Sequence, residues 1–291
     1  VSLEHASRTA YRVAMRRASH QLLDQPLVFD DPLALRLLRP EHADALRANP
    51  DHVDSGPVSS YLRAFFAARS RFAEDQLARL REQGLAQYVV LGAGLDTFAC
   101  RHPAPQPPLR VFEVDHPATQ AFKRERLAAV GIEAPACLTF VPVDFERQRF
   151  TDELGKAGFR ADQPAFFAWL GVSIYLTAPA VEATLRGIAD STRAGGGVVF
   201  DYGLSPKRVG FMERLVLQRM AAKVASIGEP WISFFEPEAL VADLHRYGFA
   251  NAEDFTGQRI NALYFAGRRD GLKVGSVARL MWAGARPAPL R

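Results

Sequence analysis

Two glycines and a pair of acids carry the first chemical signal. Gly92-Ala93-Gly94 follow the apolar run Tyr88-Val-Val-Leu91 in the segment LGAGLDTFACR, Leu91 to Arg101. Glycines at a strand-to-helix turn let the backbone bend tightly and approach a ligand closely. A second apolar run ends in FEVDHP and places Glu113 and Asp115 about 20 residues beyond the glycines. An acid at the tip of a neighbouring parallel strand can accept both hydroxyls of a ribose. A third segment, FVPVDFE from Phe140 to Glu146, offers Asp144 to an adenine amino group and Phe145 as a cover for the ring. Asp144 also suits a helix N-cap.

Glycines and ribose acid fit a nicotinamide cofactor and S-adenosylmethionine equally. The third glycine of G-x-G-x-x-G, which packs a helix against a pyrophosphate site, separates the two. Thr97 stands there instead, and Asp96 would set negative charge beside a pyrophosphate. S-adenosylmethionine has no phosphate and carries a sulfonium and an ammonium, so acids nearby attract it. The sequence therefore points to S-adenosylmethionine, with S-adenosylhomocysteine as product. A nicotinamide-dependent oxidoreductase is the competing reading.

Methyl transfer to a hydroxyl or amine often needs a general base, whereas a carboxylate is already ionised near neutral pH and needs orientation. The histidines are His5, His20, His42, His52, His102, His116 and His245. None stands in a segment resembling a methyltransferase base, and His102 and His116 read as turn residues. Abundant arginine with no evident base favours a carboxylate acceptor held by an arginine clamp. Tyr175, Tyr202 and Tyr264 remain partners for a hydroxyl acceptor. No metal cluster is apparent, and a metal-assisted reaction is not expected.

These groups need a parallel sheet to bring them together. Short apolar runs alternate with longer amphipathic stretches, the pattern of βαβ units. Strands are expected at Tyr88–Leu91, Arg110–Val114, Thr139–Val143, Ala165–Leu170, Gly197–Asp201 and, late in the chain, Ala262–Ala266. Helices are expected at about Pro117–Val130, Ala178–Thr192, Pro206–Ile227 and Pro237–Tyr247. The part up to Gly84 reads as helical, broken by prolines, and ends in a long helix from Val58 to Gln83 with Tyr61, Phe65, Phe72 and Leu77 on its apolar face. The tail from Pro287 reads as loose.

Bulk composition narrows the classes. The chain has 291 residues, 48% hydrophobic and 23% charged, as in ordinary globular proteins. Its formal charge is +4, but the basic residues are mostly dispersed arginines, and no basic run interleaves with aromatics. A nucleic-acid partner is not expected. Cys100 and Cys137 form no framework and read as reduced core thiols. The uncharged stretch Pro164–Val181 contains prolines, a glycine and hydroxyls, so a doubly buried strand and loop fit it better than a membrane span. With no apolar leader visible, the expected setting is cytoplasmic, away from membranes.

The ordered set of motifs resembles the leucine carboxyl methyltransferase family, including the tetracenomycin-type polyketide carboxyl methyltransferases. The matching pieces are SRTA with MRRA (Ser7 to Ala18), LVFDDPLALRLL (Leu27 to Leu38), FFAARSRFAEDQL (Phe65 to Leu77), LGAGLDTFACR, FEVDHP, VPVDFE, GVSIYLT (Gly171 to Thr177) and GEPWISFFEPEALVADLHRYGF (Gly228 to Phe249). The resemblance implies an α/β, Rossmann-like class I methyltransferase with a seven-stranded, mostly parallel sheet. It implies a helical N-terminal lid over residues 1–84, a core over 85–291 and an insertion after the fifth strand at about 204–235. By motif position, Gly92, Ala93, Gly94 and Asp96 would meet the methionine part, Asp115 with Glu113 the ribose, and Asp144 with Phe145 the adenine. Arg69 looks like the family arginine that binds the cofactor's or the acceptor's carboxylate, with Arg71 its rival, and Arg101 matches a further family arginine. Relatives usually carry an acid five residues before Tyr175, near the cofactor's charged end; here that position is Leu170. The neutral side chain either enlarges an apolar acceptor pocket or marks a weakened, merely cofactor-binding protein. Aromatic segments around Phe65, Phe211 and Trp231 suit a small acid or aromatic acceptor, by family analogy alone. The oligomeric state is not legible.

Overall fold

The computed structural model describes residues 8–53, 58–145, 147–225 and 230–285. Three helices come first: α1 (Arg8–Leu23), α2 (Pro40–Ala48) and α3 (Ser59–Glu82). The core alternates β1 (Gln87–Leu91), α4 (Phe98–Arg101), β2 (Arg110–Asp115), α5 (Pro117–Ala129), β3 (Leu138–Pro142), α6 (Phe150–Lys156), β4 (Ala165–Trp169), α7 (Ala178–Ser191) and β5 (Gly196–Asp201). Then follow α8 (Phe211–Ala225), α9 (Pro237–Tyr247), β6 (Asn251–Thr256), α10 (Gly257–Tyr264) and β7 (Arg279–Gly284).

The strands form one seven-stranded sheet in the order β3-β2-β1-β4-β5-β7-β6. The first five strands pair in parallel, and β7 runs antiparallel between β5 and β6. The chain direction of the sheet order reverses between β1 and β4, the switch point where ligands bind in open α/β sheets. Alternation of side chains along each strand divides the core. Tyr88 and Val90 join Phe166 and Ala168 against α3. Val89 and Leu91 join Phe167 and Trp169 on the opposite face, with Leu185 and Ile188 of α7. Strands buried on both faces read as continuous apolar runs, which is why β1, β2, β4 and β5 were legible.

Three expectations need correction. The run Ala262–Ala266 is not a strand: Thr256 caps α10 by accepting the Arg259 N–H at 3.2 Å, and the helix runs to Tyr264. Five apolar residues fit either structure, and the upstream cap decided for the helix. The closing strands are β6 and β7 instead. β6 reads NAEDFT, an edge strand with only Phe255 fully buried, so its sequence lacks an apolar signature.

The apolar face of α3 is also different. Tyr61 is exposed and Phe65 half-buried, while Ala64, Ala67, Ala68, Phe72, Ala73 and Leu77 pack inward with Arg63 and Arg69. Small residues bring α3 close to the sheet. The arginines enter with acidic partners: Arg63 donates to Asp24 at 2.8 and 3.0 Å, and Arg69 to Asp201 at 2.7 Å.

The uncharged stretch Pro164–Val181 forms β4, a short turn and the start of α7. Among the described residues no helix is long and apolar enough to cross a membrane. Cys100 and Cys137 are free and half-buried rather than core. Residues 226–229 of the insertion and the tail from Pro287 lie outside the described residues.

Candidate active site

At the switch point the end of β1 opens into a cavity of about 410 Å³, roofed by Ala10, Val13 and Ala14 of α1. Gly92 and Gly94 have φ of +68° and +52°, the left-handed region that favours glycine. The Gly92 and Ala93 N–H groups donate to the Val114 carbonyl at 2.8 and 3.2 Å, which ties the turn to β2. The same tie sets Asp115 beside it: Asp115 Oδ2 accepts the Gly94 N–H at 2.6 Å and Oδ1 accepts the His116 N–H at 2.7 Å. Burial pushes the Asp115 pKa up, and the two backbone donors pull it back down. Asp96 lines the cavity as well and caps α4 by accepting the Phe98 N–H at 2.8 Å.

From α3, Arg69, Ser70, Ala73 and Glu74 face the cavity. Arg69 is 6% exposed, its guanidinium lies over the Phe66 ring at 4.6 Å, and Asp201 at the tip of β5 is its ion partner. Leu170, Gly171, Val172 and Tyr175 supply the wall beyond β4. Tyr175 accepts a hydrogen bond from Trp231 Nε1 at 3.3 Å, which joins the insertion to the rim. Phe145, 37% exposed, stands at the opening.

Four expected residues lie elsewhere. Arg71 points away from this cavity, donates to Asp75 at 2.7 Å, and lines a separate 430 Å³ groove with Tyr264. Helix phase settles the register: residues two apart on a helix face different sides. Arg101 is drawn into a buried cluster, with Glu74, with Thr97 Oγ1 at 3.0 Å and with Asp31 at 3.7 Å. Asp144 is not part of the cavity wall; Arg147 lies 3.6 Å from its carboxylate.

Glu113 forms a fully buried ion pair with Lys123 of α5 and does not reach the cavity. Asp115, two residues on along the same face of β2, takes the tip position alone. Burial pushes the Glu113 pKa up to about 7, against the pull of Lys123. Folded Glu113 thus holds its proton to higher pH than the unfolded chain does. Its contribution to stability is full below the ordinary carboxylate value and is lost as pH rises through about 7. Urea melts at about pH 5 and pH 8 should show this loss in the wild type and a smaller one in Glu113→Gln. Equal slopes would remove Glu113 as its source.

The sequence reading assigned no role to Arg17, Glu74, Asp31 or Asp201. Arg17 pairs with Asp31, donates to Thr97 Oγ1 at 2.9 Å and lines the cavity, so it ties α1 to the glycine turn. Its signal was present in MRRA and LVFDDPL, which give no clue to their mutual contact.

The wall fits S-adenosylmethionine. Asp115, Asp96 and Glu74 line it with acids that suit a ligand bearing two positive groups, and Arg69 and Phe145 line it with a guanidinium and an aromatic ring. Among the described residues, buried Thr9 Oγ1 and Arg17 Nε, both on lining residues, have no hydrogen-bond partner.

Comparison with known proteins agrees. The family described as leucine carboxyl methyltransferase matches residues 10–189. The "Putative S-adenosyl-L-methionine-dependent methyltransferase YktD" of Bacillus subtilis is 32% identical over 286 residues, covering 92% of this chain and 94% of its own. A relative with the same kind of name from Frankia alni, FRAAL3718, is 33% identical over 250 residues, covering 85% and 83%. The crystal structure of a "possible exported protein" from Bordetella parapertussis superposes with a TM-score of 0.52 over 99% of both chains at 16% identity, a likeness of fold alone. The chain belongs to the leucine carboxyl methyltransferase family of S-adenosylmethionine-dependent methyltransferases.

Proposed function

We propose that the chain methylates the carboxylate of a small natural-product or metabolite acid. The observation that carries this is the lack of an available imidazole base among the described lining residues. His116 lines the cavity, but its Nδ1 accepts the Ala118 N–H at 3.2 Å as the cap of α5. The lone pair on that nitrogen is taken up by the helix cap. A carboxylate acceptor needs none, being ionised near neutral pH.

S-adenosylmethionine, when bound, supplies a methyl carbon activated by its sulfonium. Asp115 accepts the ribose hydroxyls, Phe145 covers the adenine, and Arg69 grips the methionine carboxylate. Contiguity supports the last assignment: a Cβ on Gly92 would touch Val172, and one on Gly171 would touch Arg69. Glycine turn and guanidinium thus share one end of the cavity. The helices before Gly84 act as a lid, with α1 excluding water and so strengthening each charge interaction beneath it. Tyr175, at the rim, donates its O–H to an acceptor oxygen and orients it for in-line attack.

A hydrogen bond to a charged group is worth about 1.5–3 kcal/mol, so Tyr175→Phe should slow turnover about tenfold or more. S-adenosylhomocysteine affinity should stay at the wild-type value. Mass spectrometry of small acids incubated with the protein and S-adenosylmethionine should find methyl esters. The matching amides should remain unmodified. Methylation of an amide at another oxygen would instead assign a hydroxyl acceptor.

A further inference from the structure

The three acids that line the cavity are held differently. Asp115 gives both oxygens to the backbone N–H groups of Gly94 and His116, and Asp96 caps α4. Among the described residues, the hydrogen-bond partner of Glu74 is a single side chain, Arg101. Glu74 stands on α3 five residues beyond Arg69, about 7.5 Å along the helix axis. One helix thus turns a guanidinium and a carboxylate into the same cavity. Each has a partner of opposite charge outside the cavity wall: Asp201 for Arg69 at 2.7 Å, and Arg101 for Glu74. Arg101 Nη1 donates to Glu74 Oε2 at 3.2 Å while Nη2 donates to Oε1, a two-point grip that fixes the plane of the carboxylate. Arg101 is itself fixed, by Thr97 Oγ1 at 3.0 Å, by Asp31 at 3.7 Å and by the Phe29 ring at 4.8 Å. Burial pushes the Glu74 pKa up, and Arg101 pulls it back down.

We infer that α3 reads the amino-acid end of the cofactor as a zwitterion, with Glu74 accepting its ammonium and Arg101 as the positioning residue that orients Glu74 and keeps it ionised. The role rests on S-adenosylmethionine occupying the cavity. An ammonium taken out of water needs an anion beside it, or its desolvation goes uncompensated. Glu74 can serve both cations, because a carboxylate offers about four acceptor sites and the Arg101 fork uses two. Without Arg101, the half-buried acid would take up a proton and lose its attraction for a cation. Arg101 therefore acts on the cofactor from behind the wall, through Glu74.

Calorimetry with two ligands tests it. S-adenosylhomocysteine carries the ammonium; its desamino analogue keeps the nucleoside, the thioether and the carboxylate and lacks only that group. The wild type should prefer S-adenosylhomocysteine by about tenfold or more, the worth of a charge-assisted contact. Glu74→Gln should erase most of that preference while leaving the desamino analogue within about twofold. Arg101→Gln should do the same. Added to Glu74→Gln, it should shift neither affinity by more than about twofold, since its effect passes through Glu74. The double variant removes both members of the pair and leaves no lone charge at Glu74, so it carries the test where Arg101→Gln alone fails to fold. An undiminished preference in Glu74→Gln would overturn the assignment, and loss of the preference in Asp96→Asn instead would move the ammonium to the cap of α4. Equal weakening of both ligands by Glu74→Gln would overturn it too, because a purely structural acid predicts that result. A further severalfold loss in the double variant would overturn the positioning role of Arg101. A wild type that binds both ligands equally would refute the ammonium contact and leave the cofactor in the cavity. Binding of neither would refute the cofactor reading itself.

Discussion

Gly92→Ala should destabilise the chain by about 2–5 kcal/mol and abolish measurable S-adenosylhomocysteine binding. Two costs add. The residue has φ +68°, and a left-handed backbone costs an alanine about 1–2 kcal/mol. Its Cβ would also stand 2.4 Å from Val172 Cγ2, too close for a branched side chain in a filled wall. Overpacking of that kind adds about 1–3 kcal/mol. Either Val172 or the turn must move, and both line the cavity. Gly131→Ala is the control. It has φ +67° but nothing within 4 Å of the added methyl. Urea unfolding should charge it only the backbone part, and calorimetry should find wild-type affinity. Equal stability losses in the two variants would show that the contact with Val172 costs nothing.

Asp115→Ala should weaken S-adenosylhomocysteine by about tenfold to a hundredfold. Two ribose hydroxyls lose a charged acceptor, and charge-assisted hydrogen bonds are worth about 1.5–3 kcal/mol. The loss has a second source, because Asp115 Oδ2 also holds the Gly94 N–H at 2.6 Å. Without it the glycine turn loses one restraint on its approach to the ligand. Asp115→Asn separates the parts: it can still accept a hydrogen bond from Gly94 but lacks the charge, so it should fall between wild type and alanine. Affinity unchanged in a folded Asp115→Ala would remove Asp115 from the site.

Local features of the sequence were legible because local physics sets them. β1, β2, β4 and β5 are mostly buried on both faces, and such strands must be largely apolar. The glycine turn and the acid tip lie within a few residues of strand ends, so identifying the strands identified Gly92, Gly94 and Asp115 with them. α9 begins at Pro237 and ends before Gly248, whose φ is +110°, and both boundaries are written in residue type. β6 escaped because an edge strand may be polar on most positions, and α10 was misread because five apolar residues suit helix and strand alike.

What the sequence by itself determined is the α/β class, the position of the glycine turn and of the acid at the tip of β2, and S-adenosylmethionine as the cofactor. Each follows from residue type within one βα unit. The tertiary structure alone decided which arginine enters the cavity, since helix phase turns Arg69 inward and Arg71 onto Asp75. It alone turned Glu113 to Lys123 and drew Arg101 to Glu74 and Asp31. It also placed Asp201 beside Leu170, residues 31 positions apart in sequence and adjacent only because β4 and β5 pair. Buried charges choose partners by three-dimensional proximity, under a desolvation penalty that forbids them to remain alone. Nothing in the linear order of residues encodes that choice before the sheet has formed.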